Sequence, residues 1–186
     1  IDRNVLQTIS DSLIHLVRNS IGHGIESEEE RYQAGKPITG KLTLEARSEQ
    51  DTVIIEVSDD GRGIDPEVIR KKIIEKGLVS PTVAPHLSED EVINFIFEPG
   101  FSSMDTVTSI SGRGVGMDVV KKAIDTIGGK IKVDTTQGEG TKISLFLPTT
   151  MAVKGALLFE MGETEIAIPL VKLLQPLPAW RLVLTA

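Results

Sequence analysis

Polar side chains at helical spacing near the start of the chain could bind a metal ion and a phosphate. In the string HLVRNSIGHG, four residues recur at helical intervals and share one face of a predicted helix: His15, Asn19, Gly22 and His23. The amide oxygen of Asn19 is a ligand of the kind that Mg²⁺ prefers, and an imidazole can contact a phosphate. The same stripe is typical of an ordinary solvated helix face, and this motif alone does not separate the two interpretations.

An acidic pair followed by two spaced glycines stands at the end of a predicted strand. In DDGRG, residues 59–63, the carboxylate of Asp59 could accept a hydrogen bond from the amino group of a base. Gly61 and Gly63 have no Cβ atom, so a flat ring could approach the backbone there. A polar turn that leaves a strand has the same composition, so this motif alone is weak evidence for a ligand.

A glycine-rich string before a later predicted helix could bind an anion. GRGVG contains Gly112, Gly114 and Gly116, and exposed backbone amides at the positive end of a helix form a common anion site. The string is not G-x-G-x-x-G after a strand, and G-x-x-x-x-G-K-[ST] occurs nowhere in the sequence. A dinucleotide-binding fold and a P-loop are therefore disfavoured.

The hydrophobic pattern predicts the helices and strands that must position these motifs. Apolar residues spaced by three and four predict helices, which we place at 1–20, 66–76, 89–97 and 117–127. Alternating apolar residues predict strands, which we place at 41–47, 52–58, 130–135 and 141–147. The segment 100–116 has no period and is expected to be mobile. Paired strands with helices between them favour an α+β two-layer sandwich over a parallel doubly wound sheet.

Local signals mark the ends of several of these elements. The glycines of SIGHG are predicted to end the first helix, and Asp65, followed by proline, is the predicted cap of the second. Ser88 and Glu91 form a predicted capping box before the third helix. The string GEGT, residues 138–141, falls in the turn of the last hairpin and by itself indicates only a turn.

A second module is predicted to begin near the end of the chain. Two short strands are expected at 155–161 and 164–169, and from about Gln175 the string PLPAWRLVLTA fits no pattern. This stretch is too short to enclose a core of its own. We therefore predict one domain at 1–149 and the truncated start of another at 150–186.

The composition limits the class of protein. Of 186 residues, 40% are hydrophobic and 25% are charged, which is typical of globular domains. The net charge of −7 argues against a nucleic-acid partner. No apolar run is long enough to span a bilayer, and the absence of cysteine fits a reducing, cytoplasmic location. An acidic protein that binds a polyanion needs glycine amides, a metal or a few cations to offset the repulsion.

Together and in this order, the four motifs resemble the N, G1, G2 and G3 boxes of the ATPase superfamily shared by gyrase, Hsp90, histidine kinases and MutL. FEPGFS, residues 97–102, resembles the F box of histidine kinases. The strings HLVRNSI, DDGRGID and SGRGVGMDVV look like those of the CheA family of chemotaxis kinases, over residues 1–150. The string MAVKGALLFEMGETEIAIPLVKLL resembles the start of that family's CheW-like regulatory domain. The resemblance implies a Bergerat-type two-layer sandwich, with a mixed, mostly antiparallel sheet and helices on one face.

The resemblance also implies a site for Mg-ATP. Asn19 would bind Mg²⁺ and, with His15, make up the catalytic pair, while Asp59 would accept the adenine amino group with Thr141 beside it. The other nucleotide-binding residues expected on this basis, or as phosphate cations, are Arg18, His23, Gly61, Gly63, Lys72, Gly112, Gly114 and Gly116. Arg18 and Lys72 are equally compatible with solvated surface charges.

The activity implied by the resemblance is transfer of the ATP γ-phosphoryl group to a histidine. Gyrase and MutL carry a water-activating glutamate four residues before the asparagine, and His15 stands there instead, which disfavours a simple ATPase. None of the three histidines lies on a predicted acceptor helix of the expected kind, so the acceptor would belong to a separate phosphotransfer domain. In chemotaxis two-component signalling, the implied partners of the full-length protein are a CheW-type adaptor and chemoreceptors, with this chain a monomer.

One residue departs from the family pattern. Gly22 stands where CheA relatives usually carry aspartate, and this change removes a carboxylate from the metal side of the site. An alternative function therefore remains open, that of a nucleotide-binding regulatory module with impaired turnover.

Overall fold

The computed structural model describes residues 3–101, 116–148, 156–161, 164–169 and 180–185. The chain forms two compact units. The first comprises Ile1–Gly63 with Ala123–Ala186, and the second comprises Ile64–Lys122. Among the described residues, no helix combines the length and the apolar character needed to cross a membrane.

The first unit begins with a helix whose last turn is wider than the rest. Helix α1, Arg3–Asn19, buries the apolar stripe that predicted it: Ile9, Leu13, Leu16 and Val17. The helical run ends at the predicted glycines, but its last turn, Ser20–Gly24, is a π-helix. There the amide of Ile25 donates to the carbonyl of Ser20 at 2.7 Å, five residues back. His15 and Asn19 are therefore one α-helical turn apart, as predicted. His23 lies in the π-helix and does not continue that spacing.

A short helix that the hydrophobic pattern did not predict follows. Helix α2, Glu28–Gln33, begins at a capping box in which Ser27 accepts from the amide of Glu30 and donates its own amide to the Glu30 carboxylate at 2.9 Å. Its first turn is entirely acidic, which suits the positive end of a helix. The helix places Arg31 in the interior of the unit, where the residue is 1% exposed.

Five of the strands in the described residues form the main sheet of the first unit. The strands β1 to β7 are, in chain order, Lys41–Glu49, Thr52–Asp59, Lys130–Thr136, Gly140–Pro148, Ala156–Met161, Thr164–Pro169 and Trp180–Thr185. The main sheet has the order β3-β4-β2-β1-β7, and β5 pairs separately with β6. Every pairing between these strands is antiparallel. The predicted α+β class with a mostly antiparallel sheet is confirmed.

The last strand is the main departure from the expected topology. The stretch after Gln175 matched no pattern, yet β7 pairs along β1, with Trp180 opposite Ala46 and Thr185 opposite Lys41. The strand therefore extends the main sheet by one edge strand. The boundary between the predicted domains at 149 and 150 stays a prediction.

Strand alternation determines where Asp59 points. Val53, Ile55 and Val57 of β2 are buried, and they occupy one face of the sheet because side chains alternate along a strand. Asp59 is the next residue of that series, at the end of β2, and Thr141 of β4 lies directly opposite it. The carboxylate therefore stands at the end of the apolar face, between two neighbouring strands.

The described part of the second unit is helical. It contains α3, Pro66–Glu75, α4, Glu89–Asn94, and the first part of α5, Met117–Thr126. The predicted caps are confirmed: Asp65 accepts from the amide of Glu67, and Ser88 forms a complete capping box with Glu91. The buried apolar residues of this unit are Ile69, Ile73, Ala84, Val92, Ile93, Ile96, Phe97, Phe101, Met117 and Val120.

Candidate functional site

The Asp59 carboxylate is the centre of the candidate site in the first unit. Its Oδ1 accepts from the amide of Gly61 at 3.1 Å and from the amide of Thr141 at 3.3 Å. The hydroxyl of Ser20 also donates to the carboxylate. Burial raises the pKa of Asp59 above its ordinary value, although these three hydrogen bonds oppose the shift.

The arrangement leaves Asp59 with capacity for a further hydrogen bond. An ionised carboxylate offers about four lone-pair positions, and three donors from the chain are identified. All three are neutral, so no cation neutralises the charge through these bonds. A half-buried acceptor of this kind suits a neutral N–H donor such as the exocyclic amino group of a base.

The glycines of DDGRG are required by the packing of the backbone. A Cβ atom on Gly61 would lie 2.1 Å from the carbonyl oxygen of Gly24, and one on Gly63 would lie 2.2 Å from the carbonyl oxygen of Thr136. Gly63 also has a φ of 68°. The space on the Cβ side of each glycine is occupied by the chain itself, and these glycines bring the loop against the π-helix and the β3–β4 hairpin. A role for Gly61 and Gly63 in nucleotide binding stays a prediction.

The hairpin turn GEGT has a corresponding role. Gly140 has a φ of 134°, and a Cβ atom there would lie 2.0 Å from the carbonyl oxygen of Asp59. The amide of Gly138 donates to the carbonyl of Arg62 at 2.7 Å. The fourth motif therefore packs directly on the second, and a motif that alone indicates only a turn helps to fix the loop after Asp59.

The first motif, at the end of α1, also lies beside the Asp59 carboxylate. Asn19 is half-buried and is followed by Ser20, the buried residue that donates to Asp59. His15 is half-buried one helical turn earlier, whereas Arg18 and His23 are exposed. The structure therefore brings the α1 terminus, the DDGRG loop and Thr141 together around one carboxylate.

The side chains at the candidate site fit a metal ion that is brought in by a bound phosphorylated molecule. Among the described residues, no group of three His, Cys, Asp or Glu side chains is arranged to hold a metal ion. Asn19 offers one amide oxygen, and Mg²⁺ commonly binds through one or two protein oxygens together with waters and substrate phosphates. These residues fit Mg²⁺ brought by a phosphorylated ligand better than an all-protein metal centre.

The remaining predicted site residues belong to the second unit or lie outside the described residues. The ammonium group of Lys72 is 5.3 Å from the ring centroid of Phe101, within cation–π range. Gly116 is half-buried and directly precedes α5. Gly112 and Gly114 lie outside the described residues, as does most of the segment 100–116 that was expected to be mobile.

A buried ion-pair network behind the DDGRG loop was not predicted. Arg31 contacts Glu26 at 3.0 Å and Asp60 at 2.9 Å, and Lys36 contacts Glu26 at 2.7 Å. The sequence did carry a signal for it, because Ser27-x-x-Glu30 is a capping box that predicts a helix containing Arg31. Periodicity gave no indication, since this helix has too few apolar residues to show any.

Comparison with known proteins finds relatives that match most of the chain. It is 46% identical over 169 residues to the gliding motility regulatory protein of Myxococcus xanthus, covering 91% of this chain and 22% of that protein. It is 46% identical over 175 residues to the sensor histidine kinase CheAY of Helicobacter pylori, covering 94% and 22%. The chemotaxis protein CheA of Bacillus subtilis is 42% identical over 175 residues, covering 94% and 26%.

The chain therefore spans about a quarter or less of the length of these relatives. Residues 8–151 match the family described as histidine kinase-, DNA gyrase B-, and HSP90-like ATPase. The match includes α1 from Thr8 onward, the DDGRG loop and the β3–β4 hairpin, which are the elements that surround Asp59. The chain belongs to the histidine kinase-, DNA gyrase B- and HSP90-like ATPase family.

Proposed function

We propose that this chain binds Mg-ATP and transfers the γ-phosphoryl group to a histidine on a separate phosphotransfer domain, in chemotaxis two-component signalling. The observation that carries the proposal is the half-buried Asp59 carboxylate, fixed by Ser20, Gly61 and Thr141 with acceptor capacity remaining. The family supports ATP as the ligand. Relatives called sensor histidine kinase and chemotaxis protein support the reaction and its setting.

In this proposal, Asp59 selects the base and the end of α1 faces the phosphates. The amino group of adenine donates to Asp59, and Thr141 lies beside it on β4. Asn19 supplies an oxygen to Mg²⁺, which offsets phosphate charge when it is bound. The glycine-rich string with Gly112, Gly114 and Gly116 contributes amides to the phosphates, and Arg18, His23 and Lys72 are the candidate cations.

His15 favours transfer to a protein over hydrolysis. The side chain lies four residues before Asn19 on α1, where gyrase-type enzymes use a carboxylate to activate water. Phosphoryl transfer depends mainly on positioning and charge stabilisation, and an acceptor imidazole brings its own nucleophile. We therefore expect slow release of phosphate in the absence of an acceptor.

The acceptor lies on another domain or chain. Two of the three histidines, His15 and His23, belong to α1 and the π-helix beside the proposed site, and His86 ends a short 3₁₀ turn. In the full-length protein, a CheW-type adaptor and chemoreceptors would control the reaction. These partners are proposed from the names of the relatives and from the resemblance of residues after 150 to a CheW-like domain.

A nucleotide-binding regulatory module with impaired turnover is the second candidate, favoured by Gly22. That residue stands where a carboxylate was expected on the metal side of the site. A Cβ atom added to Gly22 would meet no atom within 4 Å, and the residue is exposed, so the backbone leaves room for a side chain to begin at this position. The substitution Gly22→Asp is therefore a clean test of whether the missing carboxylate limits turnover.

The experiment measures binding first and transfer second. Calorimetric titration of ADP and ATP, with and without Mg²⁺, should show Mg²⁺-dependent ATP binding. Radiolabel from [γ-³²P]ATP should then appear on an added CheA-type phosphotransfer domain. Tight binding without transfer would favour the regulatory module if the Gly22→Asp variant restores transfer. Fast phosphate release without an acceptor would favour a hydrolase, and the absence of any nucleotide binding would refute the proposal.

A further inference from the structure

We propose that Arg31 and Lys36 are positioning residues of the nucleotide site, which orient the loop after Asp59 and thereby determine how strongly the site prefers adenine. This inference rests on the proposed function, because it concerns the same site. Neither residue was singled out by the sequence motifs. Both contact the backbone of the DDGRG loop.

Arg31 is buried against the loop and makes four hydrogen bonds. Its Nε donates to the carbonyl of Pro37 at 2.7 Å, and its Nη1 donates to Glu26 at 3.0 Å and to the carbonyl of Asp60 at 3.3 Å. Its Nη2 donates to the Asp60 carboxylate at 2.9 Å. The planar guanidinium can reach a carboxylate and a carbonyl of one residue at once, so it fixes both the side chain and the backbone of Asp60.

Lys36 completes the attachment of the loop. Its ammonium donates to Glu26 at 2.7 Å, to the carbonyl of Asp60 at 2.9 Å and to the carbonyl of Gly61 at 2.7 Å. All three donors of the ammonium are thereby used. Two of the three acceptors are backbone carbonyls of the motif, a pattern that restrains the path of the chain and goes beyond charge neutralisation.

Asp60 is also tied to the neighbouring strand. Its Oδ1 accepts from the amide of Lys41 at 2.8 Å, and its own amide donates to the carbonyl of Lys41 at 3.2 Å. The peptide groups on both sides of Asp60 are thus fixed. The next amide, that of Gly61, is the one that donates to Asp59, so the direction of that hydrogen bond follows from the attachment of Asp60.

The two cations of the network are paired with Glu26 and Asp60. Arg31 and Lys36 balance Glu26 and Asp60, and all four groups are buried or half-buried together. Burial alone would raise the pKa of Glu26, but the hydrogen bond from Lys36, a backbone hydrogen bond and the two cationic charges lower it below its ordinary value. Arg31 and Lys36 therefore contact Glu26 and Asp60, whereas the donors identified for Asp59 are neutral.

Base selection depends on this arrangement. An acceptor at the position of Asp59 matches the amino group of adenine and opposes the carbonyl oxygen at the corresponding position of guanine. A displacement of the carboxylate by about 1 Å is enough to weaken such an interaction severely. If the network only stabilised the fold, its loss would lower stability and leave the preference for adenine in the folded molecules unchanged.

The test compares nucleotide affinities in variants of the network. Lys36→Met and Arg31→Lys would be titrated with Mg-ATP and Mg-GTP at a temperature at which circular dichroism shows each variant to be folded. We expect ATP affinity to fall about tenfold or more and GTP affinity to change little, so that the ATP-to-GTP ratio narrows about tenfold. The ¹H–¹⁵N resonance of Gly61 should shift in both variants, because its hydrogen bond to Asp59 is reoriented.

Arg47→Met is the matched control. Arg47 pairs with the half-buried Glu56 on the same sheet, about 16 Å along β1 from the position opposite Asp59. The Arg47→Met variant should be less stable, and its ATP-to-GTP affinity ratio and its Gly61 resonance should be unchanged. Lower stability with an unchanged ratio in Lys36→Met and Arg31→Lys would overturn the inference, even if Asp59→Asn abolished ATP binding. An Asp59→Asn variant with normal ATP binding would instead refute the proposed site, and the inference with it.

Discussion

At the scale of single residues, the proposed function depends most on the Asp59 carboxylate. Asp59→Asn keeps the size of the side chain but replaces one acceptor oxygen with a donor and removes the charge. Because a hydrogen bond to a charged group contributes about 1.5–3 kcal/mol, ATP affinity should fall roughly tenfold to a hundredfold. Calorimetric titration measures the affinity, and the exposed turn variant Asp51→Asn is the control that should bind normally.

The same substitution should not lower stability at neutral pH. Burial raises the pKa of Asp59, so the folded state disfavours its charged form. The stability associated with this group is present below its ordinary pKa and is lost as the pH rises through the raised value. Urea denaturation at neutral pH should therefore show Asp59→Asn to be at least as stable as the original chain. A marked loss of stability would mean that the charge is required by the fold.

The raised pKa of Asp59 also predicts how binding depends on pH. As the pH falls through that raised value, the carboxyl becomes protonated and loses acceptor capacity, so ATP affinity should begin to decrease at a higher pH than an ordinary aspartate would cause. The nucleotide phosphate titrates as well, and Asp59→Asn corrects for that contribution. The prediction concerns the difference between the two titration series. Parallel series would show that Asp59 does not contact the bound nucleotide in its ionised form.

At the scale of elements, the helix caps and strands that depend on local signals were predicted from the sequence. The caps at Asp65 and Ser88 were predictable because side chain and backbone lie within three residues of each other. The four strands β1 to β4 were predictable because apolar residues alternate along each of them. The π-helix Ser20–Gly24 was not, since its extra width arises where the chain meets Asp59 and Gly61, contacts that no local pattern encodes.

The candidate site likewise contains residues that were predicted and residues that were not. The family resemblance implied that Thr141 lies beside Asp59, and the register of β2 and β4 places the two residues opposite each other. The burial of Arg31 was not predictable from charge, because an arginine in a polar stretch is usually exposed. Only the contacts with Glu26 and Asp60 make its burial favourable, and Asp60 lies 29 residues further along the chain.

Two glycines provide a prediction about the helical end and the loop. Gly22 has open space around a Cβ atom, and glycine in a helix is less stable than alanine, so Gly22→Ala should raise the free energy of unfolding by about 0.5–1 kcal/mol. Gly61→Ala is the contrasting variant, since its Cβ atom would lie 2.1 Å from a backbone carbonyl oxygen. We expect a loss of about 2 kcal/mol or more there. Urea titrations of both variants would contradict the packing described here if the two effects had the same sign.

At the scale of the whole molecule, the edges of the main sheet lead to a prediction about self-association. In the described residues, β3 lies at one edge of this sheet and β7 at the other. β7 pairs with β1 over six consecutive positions, from Lys41 opposite Thr185 to Ala46 opposite Trp180. Without that strand, β1 would present unpaired amides and carbonyls, and exposed strand edges of this kind promote pairing between molecules.

Deletion of residues 180–186 should therefore increase self-association without removing the nucleotide site. β1 also pairs with β2 along its length, and this register positions Leu42 opposite Asp59 independently of β7. We expect the average mass from light scattering to rise with concentration in the deletion variant while the full chain, at the same concentrations, remains monomeric. ATP affinity at low concentration should change by less than about threefold, which is less than 1 kcal/mol. A monomeric deletion variant would show that β1 is protected by other means, and a large loss of affinity would show that β7 supports the site through β1.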